Sequence, residues 1–321
     1  MKFFFSCDWG TSTFRLRLVD TENERVLSTI KTAYGIATAF ECWQQTNLQE
    51  ESRQAFFETY LLEQVNKITM SFNEPLHDAP IILSGMASSS IGMMELPYKQ
   101  LPFRCSGADL VVHFVKPLTN NGHKIIIISG ASSEVDVLRG EETILAGCDI
   151  TELDTEQIFI FPGTHSKHII VENGLVKNIT TYMTGELFDL LSNKSILSPS
   201  VKKNEEEQTA TDPHFIDGVI KGRISNLLNS IFHVRTNQLF KKATAGGNYN
   251  YLSGLLIGYE LKDIAGTKPS AITLVCGEAI KEVYMQAFNV IGLSDCLRYK
   301  NADDALVKGQ WAIMRQTGSL T

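Results

Sequence analysis

One local pattern occurs twice in this chain, about half its length apart, and that repeat restricts the fold more than any other feature. Phe3-Phe4-Phe5-Ser6-Cys7 is an apolar run, Asp8-Trp9-Gly10-Thr11-Ser12-Thr13 a tight turn, and Phe14 to Asp20 an alternating return strand. The polar turn Thr21 to Glu24 leads into a third strand from Arg25 to Lys31. Ile158 to Phe161, Pro162-Gly163-Thr164-His165-Ser166-Lys167 and His168 to Val171 repeat strand, turn and strand. Glu172-Asn173-Gly174 then feeds a third strand from Leu175 to Thr181. Gly10 and Gly163 are 153 residues apart in a chain of 321. Alternating helix and strand patterns follow each unit. The sequence therefore predicts an α/β chain of two similar domains, residues 1–153 and 154–321, with a cleft between them.

The periodicity predicts helices over Gln49 to Thr69, Asp136 to Cys148, Gly185 to Ser192, Tyr249 to Lys262, Glu278 to Ile291 and Asp303 to Arg315. The last of these is placed back against the first domain. Pro80 to Leu83, Lys124 to Ser129 and Ala271 to Cys276 read as strands. Asp212-Pro213 is a cap and first-turn pair, and Ile216, Ile220, Ile224, Leu227 and Ile231 mark the apolar face of the helix it opens. Lys194 to Thr211, with Glu205-Glu206-Glu207, reads as a solvated loop.

Composition excludes several classes of function. With 43% hydrophobic residues the chain is not a disordered one, and 29 basic against 36 acidic residues leave no footprint for a nucleic acid. No apolar run approaches the ~20 residues of a membrane span. Asp8 interrupts the N-terminal apolar segment too early for a leader, so Phe3 to Cys7 is read as a buried strand of a cytoplasmic protein. The six cysteines stand singly, which fits buried reduced thiols better than disulfides or a metal site. His165 and His168 have H-x-x-H spacing without a third ligand beside them.

The turn after the first strand has a chemical use. Gly10 lets the backbone approach a phosphate, and the amides and hydroxyls of Thr11, Ser12 and Thr13 can donate to it. Asp8, at the strand end, can hold Mg²⁺, and Arg15 on the return strand can neutralise phosphate charge. Gly163, Thr164, His165 and Ser166 offer a second grip in the other half. Together the two turns point to a polyphosphate held from both sides.

Several ordered segments resemble the motifs of the 2-dehydro-3-deoxygalactonokinase family. They are Asp8-Trp9-Gly10-Thr11, Gly85-Met86 with Leu96-Pro97-Tyr98, Arg139-Gly140-Glu141-Glu142-Thr143, and Pro162 to Lys167. Met183-Thr184-Gly185-Glu186-Leu187 and Leu252 to Gly258 complete the set. The resemblance implies two ribonuclease-H-like domains of the actin-like ATPase type. It also implies ATP and Mg²⁺ as cofactors and phosphorylation of the C6 hydroxyl of a 2-keto-3-deoxy sugar acid in galactonate breakdown. It places substrate at Gly85, Met86, Ala87, Ser88 and Arg139, and adenosine at Gly277 and Glu278. Its partners are a small sugar acid and ATP, and it leaves room for a homodimer. An exopolyphosphatase-type phosphohydrolase is the alternative, and an actin-type nucleotide-gated interaction protein a remoter one.

A hydroxyl attacking a γ-phosphoryl needs a carboxylate base. On a helix from Asp136, with Val137 set to about 0°, the apolar face centres at about 40°, where Glu141 falls, and Glu142 lies at its border at about 140°. Glu142 is therefore expected to reach the cleft without being desolvated. It is the favoured base, with Glu141 second and Asp136 third.

Overall fold

The computed structural model describes residues 1–46, 52–116, 122–150, 155–203, 209–266 and 269–318. The chain divides into two compact units. Unit 1 comprises Met1–Thr151, Gly174–Lys177 and Asp303–Thr321, and unit 2 comprises Glu152–Asn173 and Asn178–Ala302. The predicted boundary at 153/154 lies outside the described residues.

In unit 1, β1 (Phe3–Trp9) is central because six of its seven residues are buried, as suits a strand covered on both faces. It pairs antiparallel with β2 (Phe14–Asp20), which pairs antiparallel with β3 (Arg25–Thr32). After helices α1 (Ile36–Gln45) and α2 (Arg53–Met70), β4 (Ile81–Gly85) runs parallel to β1. Short strands follow: β5 (Lys99–Gln100), β6 (Phe103–Arg104), β7 (Val112–Val115), β8 (Ile125–Ile128), β9 (Ala131–Ser132) and β10 (Val137–Leu138). The main sheet has the order β3-β2-β1-β4-β8-β7, and β5, β9 and β10 form a small one. Phe57, Leu61, Val65 and Ile68 of α2 recur at helical steps and are buried in one cluster with Trp9, Phe14 and Leu83.

Helix α3 (Glu141–Ala146) is much shorter than the predicted Asp136 to Cys148. Val137 and Leu138 pair with Ser132 and Ala131 instead, and Gly140 takes φ +119°, a left-handed conformation through which no α-helix runs.

Unit 2 repeats the arrangement. Its sheet places β11 (Gln157–Phe161) between β12 (Ser166–Glu172) and β14 (Ala271–Cys276), with β13 (Leu175–Tyr182) beyond β12 and β15 (Leu297–Asn301) beyond β14. β11–β12 is antiparallel, and β11–β14 and β14–β15 are parallel. The first residues of β13, Leu175 and Val176, belong to unit 1 and pair with Arg104 and Phe103. The helices are α4 (Thr184–Lys194), α5 (Pro213–Ile224), α6 (Leu227–Leu239), α7 (Ala245–Ala265) and α8 (Glu278–Ile291).

The apolar face expected from Ile216 to Ile231 is not the buried one. Asn226 caps a new helix by accepting the Asn229 N–H, and Ile220 and Ile224 are exposed. The contact surface is made instead by Gly218 and Gly222 of α5 against Gly254 and Gly258 of α7. A Cβ on any of these four would come within 2.1–2.3 Å of a backbone oxygen on the other helix. The loop expected from Lys194 is anchored at its start, where Leu197, Ser200 and Val201 are buried; Glu205-Glu206-Glu207 lies outside the described residues.

Helix α9 (Ala302–Gln316) belongs to unit 1 from Asp303 onward. Gln310, fully buried, donates to the Cys7 carbonyl and the Ser84 hydroxyl, and Trp311 stacks on Phe4 at 5.2 Å. No helix among the described residues is long and apolar enough to cross a membrane. None of the six cysteines is in a disulfide, and four of them are buried.

Candidate active site

Three segments of unit 1 meet at the carboxyl ends of β1 and β4, the end where open α/β sheets bind ligands. Asp8 lies one residue before the end of β1, level with Ser84 of β4 and close to Gly85 at the end of that strand. A Cβ on Gly85 would come 3.4 Å from Asp8 Oδ1, and one on Gly140 would come 3.6 Å from the Gly85 Cα. Asp8, Gly85 and the start of α3 are thus neighbours because two of the three carry no side chain.

Asp8 is only partly open to solvent, and its Oδ2 accepts from Arg15 Nη1 at 3.3 Å. Burial raises its carboxyl above the ordinary value; Arg15 and Arg17 oppose the rise, and the charges of Asp303 and Glu141 add to it. Asp303 of α9 in turn pairs with both Arg15 and buried Arg17. The turn between β1 and β2 is closed by Gly10 N–H donating to the Thr13 carbonyl, with Thr11 and Ser12 exposed. Behind it, the first amides of α1 (Ile36 and Ala37) donate to the Gly10 and Thr11 carbonyls. Gly35 fits so closely there that a Cβ would come 2.2 Å from the Thr11 oxygen.

The two glutamates of α3 exchange the places expected of them. Glu142 is 1% exposed; it accepts the Gly140 N–H at 2.7 Å and the Thr143 hydroxyl at 3.0 Å. Burial, with the Glu141 charge adding to it, pushes its carboxyl up to about 7. Glu141 is half-buried; its Oε2 accepts the Arg139 N–H at 2.9 Å, and its other oxygen meets no donor among the described residues. The expectation that Glu142 reaches solvent undesolvated fails because the helix begins at Glu141 and not at Asp136. Asp136 precedes β10, in a turn with Ser133.

The substrate residues separate by depth. Met86 is half-buried, but Ala87 is part of the core and cannot touch a ligand through its side chain. Ser88 is buried too and accepts from Arg139 Nη1 at 2.9 Å.

In unit 2 the second turn exposes Gly163, Thr164 and His165 but turns Ser166 inward. The Ser166 hydroxyl donates to Glu260 at 2.7 Å, so it is not free to meet a phosphate. His165 pairs with Glu186, whereas His168 is buried against Glu260, so the H-x-x-H pair does not converge. As in the first turn, a following helix supports the loop. Glu186 N–H of α4 donates to the Thr164 carbonyl, and a Cβ on Gly185 would come 2.5 Å from the Gly163 oxygen.

Glu260 itself was not legible as a site residue. It is 1% exposed and accepts from Ser166, His168, Thr184 and Tyr284, drawn from β12, α4 and α8. Its one sequence signal is a lone acid in the run Leu255-Leu256-Ile257-Gly258-Tyr259-Glu260-Leu261 of a buried helix. Thr184 and Tyr284 also line a cavity of about 380 Å³, whose walls include Gly163, Gly185, Phe188, Tyr249 and Ile280. Gly277 caps α8 beside it, and Ala279, Ile280 and Val283 of that helix face it. Glu278 is turned to Tyr299 and Lys281, hydrogen bonds that lower its carboxyl.

Unit 1 therefore offers acidic groups around an open turn, and unit 2 an apolar cavity beside a second one. Known proteins match this chain over nearly its whole length. It is 30% identical over 321 residues to DgoK1 of Rhizobium meliloti (strain 1021), a probable 2-dehydro-3-deoxygalactonokinase, covering 98% of this chain and 97% of that one. It is 28% identical over 296 residues to the 2-dehydro-3-deoxygalactonokinase of Escherichia coli (strain K12), covering 90% of each. The crystal structure of a candidate 2-dehydro-3-deoxygalactonokinase from Sinorhizobium meliloti superposes with a TM-score of 0.82 at 29% identity, over 99% of this chain and 98% of that one. The model of the family described as 2-keto-3-deoxy-galactonokinase matches residues 8–313, from the carboxylate near the end of β1 to the last helix, and the chain is a member of that family.

Proposed function

We propose that this chain transfers the γ-phosphoryl of ATP to the C6 hydroxyl of 2-dehydro-3-deoxy-D-galactonate. Unit 1 supplies the acid–base groups and the sugar-acid site, and unit 2 holds the nucleotide. The observation that carries this reading is the meeting of Asp8, Gly85 and the Glu141–Glu142 pair at the ends of β1 and β4. The strand orders β3-β2-β1-β4-β8 and β13-β12-β11-β14-β15 support a ribonuclease-H-like unit in each half.

Phosphoryl transfer relies on positioning and charge neutralisation more than on covalent chemistry. Asp8 fits a Mg²⁺ ligand: it is one carboxylate at an open turn, and Mg²⁺ ordinarily takes one or two carboxylates with substrate phosphates and water. When bound there, Mg²⁺ would neutralise phosphate charge. Arg15 lies beside Asp8 and steadies its ionised form. Thr11, Ser12 and Thr13 in the first turn, and Gly163, Thr164 and His165 in the second, are the donors offered to phosphate. The cavity of unit 2 takes the adenosine, with Gly277 and Glu278 at its edge.

Glu141 accepts the proton of the attacking hydroxyl, because it is the more open of the pair and keeps one oxygen unengaged. Glu142, buried behind it, holds the Gly140 N–H and fixes where α3 begins. The deciding measurement is ADP release from ATP with and without 2-keto-3-deoxy sugar acids. Release only with the sugar acid supports a kinase; release without it, or consumption of polyphosphate instead, overturns the reading. Glu141→Gln is expected to be folded and inactive, and Glu142→Gln to retain turnover.

A further inference from the structure

Arg139 ends the segment that leads into α3, and its side chain is fixed on several sides. Nε donates to the Tyr98 hydroxyl at 3.2 Å and Nη1 to the Ser88 hydroxyl at 2.9 Å. The guanidinium carbon stands 4.2 Å from the Tyr98 ring centroid, within the range of a cation–π contact. Tyr98 is itself backed by Gly130, where a Cβ would come 3.0 Å from the ring. Two of the five guanidinium N–H groups are thereby engaged, and the rest meet no acceptor among the described residues. No carboxylate among the described residues pairs with this cation: Glu141 takes the backbone N–H of Arg139, not its side chain.

A positioned, unpaired guanidinium is unusual next to acids, and it answers an electrostatic difficulty. Asp8, Glu141 and Glu142 crowd one end of the sheet, and the charge of Glu141 raises the carboxyls of both Asp8 and Glu142. An anionic substrate brought there is repelled unless a cation receives it. The planar fork of arginine matches a carboxylate in geometry as well as charge. Resting on the kinase reading, we infer that Arg139, held by Tyr98 and Ser88, binds the C1 carboxylate of the sugar acid and selects acids over neutral sugars.

The test compares 2-dehydro-3-deoxy-D-galactonate with its C1 carboxamide as acceptors for the wild type, Arg139→Lys and Arg139→Met. In Arg139→Met the KM for the acid should rise roughly 10- to 100-fold, the cost of a lost charge-assisted pair, while the KM for ATP stays within about two-fold. The preference for acid over amide should collapse. Arg139→Lys, which keeps the charge but not the fork, should keep part of that preference even if Arg139→Met fails to fold. Equal losses on acid and amide, or an unchanged preference in either variant, would overturn the inference while leaving the kinase reading intact. A wild type that phosphorylates neither compound would remove the kinase reading and this one with it.

Discussion

Glu142 in unit 1 and Glu260 in unit 2 are buried to the same depth, each 1% exposed, yet their surroundings differ in kind. Glu142 has two donors and a second carboxylate as its chain neighbour, and burial raises its carboxyl to about 7. Glu260 has four donors, three hydroxyls and an imidazole, from segments far apart in sequence. Depth alone therefore does not set what a buried acid does; the number of donors and the sign of the neighbours decide it. Unit 1 leaves Glu142 with few donors beside a like charge, so its carboxyl is the one pushed up to about 7. Unit 2 spends its acid on holding β12, α4 and α8 to α7 around the cavity.

The largest effect should come from removing the hub. Glu260→Ala strands the partners of a buried carboxylate and is expected to cost about 3–5 kcal/mol in urea unfolding. Glu260→Gln keeps an acceptor and should lose less, with a raised KM for ATP as the second turn and α4 loosen. An alanine variant within ~1 kcal/mol of wild type would show that the hub does not fasten unit 2.

The next effect is on turnover and not on stability. Asp8→Asn should reduce kcat on the order of 10²-fold or more, about 3 kcal/mol of barrier, with an unchanged circular dichroism spectrum. Wild-type turnover in that variant would take Asp8 out of the chemistry and leave unit 1 without its proposed metal ligand.

The smallest effect is a slope. The folded value for Glu142, about 7, lies above the ordinary 4.5, so between these limits the folded chain binds a proton that the unfolded chain releases. Its contribution to stability is present below pH ~4.5, falls as pH rises towards 7, and is lost above. Glu142→Gln should flatten this fall, by at most about 3 kcal/mol, read as a Tm difference from wild type that grows from pH 4.5 to 8. Asp8 is shifted in the same direction, so some slope should remain. Parallel Tm profiles for the two proteins would mean that Glu142 is not protonated in this range.

Much of the architecture was legible because the two strand–turn–strand units announce themselves by composition and spacing. Asp8, Gly10 and Gly163 could be placed from those turns alone. Helix α1 was missed: it is short, follows Gly35 without a capping side chain, and is held by the carbonyls of the turn it supports. The α3 assignment failed at Gly140, since a pattern of apolar spacings does not reveal a backbone that turns left-handed. Two isoleucines of α5 misled in the same way, because glycines and not branched side chains form the α5–α7 contact. Glu260 escaped because its donors come from three other elements, and only the fold brings them together.

The membership of α9 in unit 1 has a consequence for how the molecule is made. Cys7 and Ser84 receive hydrogen bonds from Gln310, and Phe4 its stacking partner from Trp311, across roughly 230 to 310 residues of chain. During synthesis, at ~5–20 residues per second, the first strand waits about 15 seconds or longer for these partners. Unit 2 can complete its β11–β14 pairing within that interval, because both strands have already left the ribosome. The first half to be translated is thus the last to be finished, and until α9 arrives the apolar face of Phe4 and the Cys7 carbonyl stay uncovered. A chain released before residue 303 should fold its second half and expose the first to chaperones and proteases.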